Sequence, residues 1–173
     1  MFERVRRFQE FLVESGFSRN VLALPAPKTL LIEDFSAKDE AGTVVFARTV
    51  VEPEIVEVSR DLFASGHYNL AVHNAFKAVD NFVRTKSGSG QSGTSGMRVA
   101  FNNKEPKLVW SDRTNDAERD EQEGYSHIFA GAMLGIRNPV THEFGWVSDE
   151  QTALELLVVA QHLLRKAKVA YRP

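Results

Sequence analysis

The stretch GYSHIFAGAMLGIRNPVTHEFGW (residues 124–146) sets the terms for the fold. Tyr125, Ile128, Phe129, Ala132, Met133 and Ile136 recur at three- and four-residue spacing, the period of a helix with one apolar face. Gly131 and Gly135 leave a flat groove on the same helix for a neighbour. Pro139 then interrupts. Its ring clashes with the carbonyl of residue 135 and it has no N–H to offer that carbonyl, so the helix should kink or end. Gly135 gives the backbone slack to do so. Around the proline gather four polar side chains: Arg137, Asn138, His142 and Glu143.

Helical periodicity continues in both directions. The acidic run at 112–124 suits a helix start, where negative charge meets the positive end of the macrodipole. Pro53 suits a first helical turn, and Ile55, Val58, Leu62 and Phe63 follow at helical spacing until Gly66. Val72, Phe76, Val79 and Val83 form another stripe, with Ala71, Ala75 and Ala78 small enough for a neighbouring helix to approach closely. Ala153, Leu156, Leu157, Ala160, Leu164 and Ala167 make a last stripe, opened by Ser148 and Gln151 as a capping box. Four main amphipathic helices predict a mainly α protein, an antiparallel helical bundle.

Two stretches break this pattern. Residues 87–96, SGSGQSGTSG, read as a flexible loop between helices. Gly88, Gly90 and Gly93 fit G-x-G-x-x-G, but a dinucleotide loop follows a strand, and this one follows a helix. The first fifty residues form an N-terminal appendage distinct from the helical domain at 51–173. Phe2, Val5, Phe8 and Leu12 predict a helix closed by Gly16, and TLLIEDF (29–35) with TVVFARTV (43–50) a β-hairpin.

At 173 residues with 43% hydrophobic and 25% charged side chains, the chain is long enough to bury a core. It has no cysteine, which excludes a disulfide scaffold, a thiolate metal site and a cysteine nucleophile. The charged N-terminus and the lack of a long apolar run predict a cytoplasmic protein without a membrane partner. The net charge of −2 gives no general attraction to nucleic acid, so any such partner needs a local basic patch. Arg84, Lys86, Arg98, Lys104 and Lys107, flanking the glycine–serine loop, are the candidates, and a merely solvated face accounts for them equally well.

The chemistry open to residues 137–143 is narrow. His142-Glu143 begins H-E-x-x-H, but Trp146 stands where the second histidine would be, so no metal or other cofactor is expected. What remains is a group that exchanges protons near neutral pH beside a fixed guanidinium that stabilises negative charge on phosphate oxygens. That pair suits RNA cleavage, in which the 2′-hydroxyl is an internal nucleophile. The same residues also suit a plain helix end, where basic side chains meet the macrodipole and a proline follows. On a regular helix Arg137 and His142 lie about 140° apart, so a kink at Pro139 is needed to swing His142 toward Arg137 or toward a partner chain.

R-N-P-V-T-H resembles the R-x4–6-H signature of the HEPN superfamily. LFASGHYNLAVHNAFKAVDNFVR together with EQEGYSHIFAGAMLGIRNPVTHE looks like its Ymh-type branch, over roughly residues 52–172. The resemblance implies a helical bundle that forms a homodimer, bringing two such motifs into one cleft. It implies metal-independent endoribonuclease activity, as a toxin or phage-defence effector that an antitoxin or defence-system partner controls. Carried over by position, Arg137 would stabilise the scissile phosphate, His142 would be the acid–base group and Asn138 would position them, with Glu143 as an auxiliary residue. Some HEPN proteins are non-catalytic modules for dimerisation or for binding a partner or RNA, and the fold alone does not separate the two.

Overall fold

Residues 42–49 form a helix, α1, where the sequence predicts a β-strand. Phe46 and Val50, four residues apart, are 2% and 1% exposed, whereas Val44 and Val45 lie 48% and 45% exposed. The β-branched run favours a strand locally, but burial here comes at helical spacing, and tertiary packing overrides propensity. The Phe46 ring sits 5.0 Å from that of Phe63. The computed structural model describes residues 42–143 and 145–173, all within one unit spanning Asp39–Pro173. The expected N-terminal helix and the first strand of the hairpin lie outside the described residues.

Seven further segments follow: α2 (Pro53–Ala64), α3 (Tyr68–Ser87), α4 (Gly93–Phe101), α5 (Asp116–Ala132), a π-helical segment (Met133–Arg137), α6 (Asn138–His142) and α7 (Glu150–Val169). The described part of the protein is mainly helical; its one extended pairing there is an isolated antiparallel bridge between Val109 and Tyr171.

Helix α3 is central, packing against α2, α4, α6, α7 and the π segment. Its predicted stripe of Val72, Phe76, Val79 and Val83 is buried, and Ala71 and Ala75 are fully buried where neighbours approach. Removing a side chain such as Phe76 from water contributes about 1.5–3 kcal/mol. The α5 stripe is only partly inward: Phe129, Ala132 and Met133 are buried, but Ile128 is half exposed. Phe101 stacks on Phe129 and on Trp110 at 4.5 and 4.8 Å, and the Trp110 indole N–H donates to the Lys166 carbonyl at 2.8 Å.

Two buried glutamines tie the ends of helices together. Gln161 on α7 accepts from the N–H groups of Val51 and Glu52 and donates to the Thr49 carbonyl, holding the α1–α2 link. Gln122 on α5 donates to the carbonyls of Phe101 and Leu108, fixing the exit from α4. Each replaces water at backbone groups that a buried chain must otherwise leave unpaired.

Part of the glycine–serine stretch, Gly93 to Gly96, is helix where its composition predicts a flexible loop. Ser87 and Ser89 are buried, and their hydroxyls accept from the N–H groups of Ser89 and Gln91. Gly93 opens α4 with φ +62°, and a Cβ on Gly96 would sit 2.7 Å from the Gln91 carbonyl oxygen. Serine and glycine occur here because the backbone turns tightly and is approached closely. At the start of α7 the cap is also different from the predicted one. Asp149 accepts from the Thr152 N–H at 2.8 Å, while Gln151 turns to Glu155. The expected acidic start of α5 is present: Asn115 caps the Glu118 N–H, and the Glu118 carboxylate accepts from the Thr114 N–H.

Gly96→Ala should lower stability in urea denaturation by about 1–3 kcal/mol, because the added methyl meets backbone that cannot give way. Gly131→Ala, with open space around its Cβ, should raise it by up to about 1 kcal/mol. The Thr152 N–H holds the Asp149 carboxyl below the usual range, so its contribution is present above the unfolded-state value and is lost as pH falls through the folded one. Asp149→Ala should therefore lower the Tm at neutral pH, with the gap closing in strong acid.

Candidate functional site

Pro139 does not end the helix. The backbone stays right-handed helical through Ala132, Met133, Arg137 and Asn138 and leaves that conformation only at Glu143. The accommodation lies in the turn before the proline. There the Asn138 N–H reaches the Met133 carbonyl, five residues back, and the widened π turn takes up the conflict. Gly135 is not what makes room: a Cβ there would meet nothing within 4 Å. Nor does the distortion turn His142 toward Arg137. It ends at Arg137, so the steps from there to His142 remain helical and leave the two about 140° apart.

The two side chains accordingly go different ways. Arg137 turns inward, with Nη2 3.9 Å from Asp80 Oδ2 and Nη1 donating to Asn138 Oδ1 at 3.3 Å. Its Nε is buried with no hydrogen-bond partner among the described residues. His142 is exposed and opens onto a cleft of about 490 Å³, whose walls also carry His67, Asn69, His73, Thr141 and Glu143. Arg137 is not on the wall of that cleft.

A polar stripe on α3 holds this region together. Asn69, His73 and Asp80 fall within about 40° of one another around the helix. Asn69 donates to the Val140 carbonyl at 3.0 Å and accepts from the Val147 N–H at 3.1 Å, so both sides of the α6 exit hang on one amide. His73 Nδ1 lies 3.0 Å from the Thr141 hydroxyl, which also contacts the Arg137 carbonyl at 2.6 Å. Asp80, 4% exposed, accepts from the Gly93 N–H at 2.8 Å while facing Arg137 with its other oxygen. Burial, then the positive charges of Arg137 and Lys77, hold the His73 pKa below the usual 6.5.

Sequence reasoning missed His73 and Asp80. The available signal was phase: polar residues at 69, 73 and 80 share one side of a helix whose other side is apolar. Of the basic candidates, Lys86 is engaged. Its ammonium donates to the carbonyls of Ala167 and Lys168 at the end of α7, and burial lowers its pKa. Arg84, Arg98, Lys104 and Lys107 are exposed, and Arg98 borders a second hollow together with Asn102, Glu123 and His127. Among the described residues no group of three or more histidines and carboxylates has an arrangement suited to a metal ion. No helix among them is long and apolar enough to cross a membrane.

A family model described as a protein of unknown function (Hypoth_ymh) matches residues 49–167. The chain belongs to the Ymh family. Neither a curated protein nor a solved structure matches it. In this Ymh-family chain the match takes in every residue of the α3 stripe, the π turn and the cleft. The arrangement offers an under-bonded guanidinium and, apart from it, a histidine-lined cleft. Such a set can hold an oxyanion and move protons.

Asp80→Ala should cost about 1–3 kcal/mol, because it leaves the Gly93 N–H and Arg137 without their acceptor. Because the folded-state pKa of His73 is lowered, its share of stability is full above about 6.5 and is lost as pH falls through the folded value. Urea titrations from pH 7 to 5 should therefore show a steeper loss in wild type than in His73→Gln.

Proposed function

We propose that this Ymh-family chain is a metal-independent endoribonuclease of HEPN type, a helical-bundle hydrolase that acts as a toxin or phage-defence effector. It cleaves RNA in the cytoplasm through a composite arginine–histidine site at a homodimer interface. The observation that carries this reading is the state of Arg137. Its ion pair with Asp80 is long, at 3.9 Å, its contact with Asn138 is 3.3 Å, and its Nε–H has no acceptor among the described residues. The side chain is 26% exposed, so the guanidinium keeps donors that a substrate phosphate oxygen would engage. Arg137 is then the group that stabilises charge on the scissile phosphate, Asn138 keeps its guanidinium in place, and His142 exchanges protons with the reacting oxygens. Glu143, beside His142 on the cleft wall, is the auxiliary residue. Because Arg137 and His142 diverge within one chain, pairing the arginine of one copy with the histidine of another gives the composite site a geometric reason.

The second reading is a non-catalytic module for dimerisation or for binding a partner or RNA. It is favoured by the inward turn of Arg137 onto Asp80, which gives the arginine a structural job. An antitoxin or defence-system protein is the expected partner under either reading.

Purified protein incubated with tRNA and mRNA in the presence of EDTA should cut RNA, leaving 2′,3′-cyclic phosphate and 5′-hydroxyl ends. Arg137→Ala and His142→Ala should each lower the rate by about 10²–10⁴ with helical content unchanged by circular dichroism. An inactive wild-type protein of correct fold, harmless on expression, would sink the ribonuclease reading in favour of the second one.

A further inference from the structure

The Thr141 hydroxyl has one proton and two neighbours that compete for it. The Arg137 carbonyl, 2.6 Å away, can only accept. His73 Nδ1, 3.0 Å away on the other side, can donate or accept, depending on its tautomer. If Thr141 gave its proton to the imidazole, two bare oxygens would face each other at 2.6 Å. The hydroxyl therefore donates to the Arg137 carbonyl and accepts from His73, which places the His73 proton on Nδ1. Nε2 then carries the lone pair of the neutral ring, has no partner among the described residues, and belongs to a side chain on the wall of the cleft that His142 also lines.

We propose that His73 is the second catalytic proton carrier of this cleft: it takes a proton through Nε2 in its Thr141-fixed tautomer while His142 gives one. This rests on the ribonuclease reading and extends it with a residue outside the arginine–histidine motif. The ribose 2′-OH proton passes to His73 Nε2 as O2′ bonds to phosphorus. The P–O5′ bond breaks, and the leaving O5′ takes its proton from the imidazolium of His142. One proton enters the protein and one leaves, and the products are a 2′,3′-cyclic phosphate and a 5′-hydroxyl. Solvent then returns both rings to their starting states. The neutral form that accepting a proton requires is the one favoured at His73, where burial and the charges of Arg137 and Lys77 oppose protonation. His67 and Tyr68 at the start of α3, and His142 and Glu143 at the end of α6, are the other titratable groups on the cleft wall. Thr141 acts through His73 and is a positioning residue.

The test combines kinetics with a spectroscopic readout that needs no activity. In wild type, two-bond 1H–15N spectra should find neutral His73 protonated on Nδ1, and Thr141→Val should shift the population toward Nε2–H. His73→Gln should lower kcat for RNA cleavage by about 10²-fold or more with KM little changed, and should remove the limb of the pH–rate profile on which activity rises with pH. Unchanged circular dichroism and a cooperative melt show that the variant is folded. Cleavage by His73→Gln within threefold of wild type would overturn the proposal and leave the ribonuclease reading standing. A neutral His73 protonated on Nε2 would overturn it whatever the activity. A wild-type protein that cuts no RNA, with the Nδ1–H tautomer in place, would remove the ribonuclease reading and this role with it.

Discussion

The carboxylate of Asp80 is the contact on which the rest of the site depends. It is 4% exposed on the central helix, where a charge is tolerated only if its oxygens are engaged. One oxygen holds the Gly93 N–H, and so the first turn of α4; the other faces the Arg137 guanidinium at 3.9 Å. A single side chain thus ties together α3, the tight serine–glycine turn and the end of the π segment. The looser half of this arrangement is on the arginine side. The carboxylate restrains Arg137 without satisfying it, whereas a close bidentate pair would take up two of its five donors.

Stability and chemistry are separated along the same helix. The apolar side of α3 buries Val72, Phe76, Val79 and Val83. The polar side holds the segment that carries the candidate site, through Asn69 at the α6 exit, His73 at Thr141 and Asp80 at Arg137. A rigid element with a packed back is a suitable mount for groups whose spacing matters to a few tenths of an ångström.

Where a regular period was at work, the sequence could be read. The stripes on α3 and α7 and the proline start of α2 appear where expected, because burial on one face repeats every three or four residues. Reading failed where composition suggested one thing and packing another. Residues 43–50 carry strand-forming side chains, yet only Phe46 and Val50 reach the core, at helical spacing. The run at 87–96 has the composition of a linker, but its serine hydroxyls bond back to the chain and Gly96 is hemmed in by the Gln91 carbonyl. At the site, Arg137 and His142 were legible as residue types. Their separation on a regular helix was legible too, but that Pro139 leaves it in place was not, because this depends on where the widened turn falls. His73 and Asp80 lacked any local motif, and their links to Thr141 and Arg137 join parts of the chain about sixty residues apart.

The π segment has a topological consequence. A widened turn acts as one surplus residue in an otherwise regular helix, so everything after it is rotated by about 100° from where an unbroken helix would carry it. Arg137 meets Asp80, and Thr141 meets His73, in the rotated frame. The apolar stripe of α5 and the polar motif that follows it therefore obey two different helical phases, joined at Met133–Arg137. The segment is a register shift built into the backbone: chain length, counted residue by residue across one turn, decides which side chains face α3 and which face the cleft.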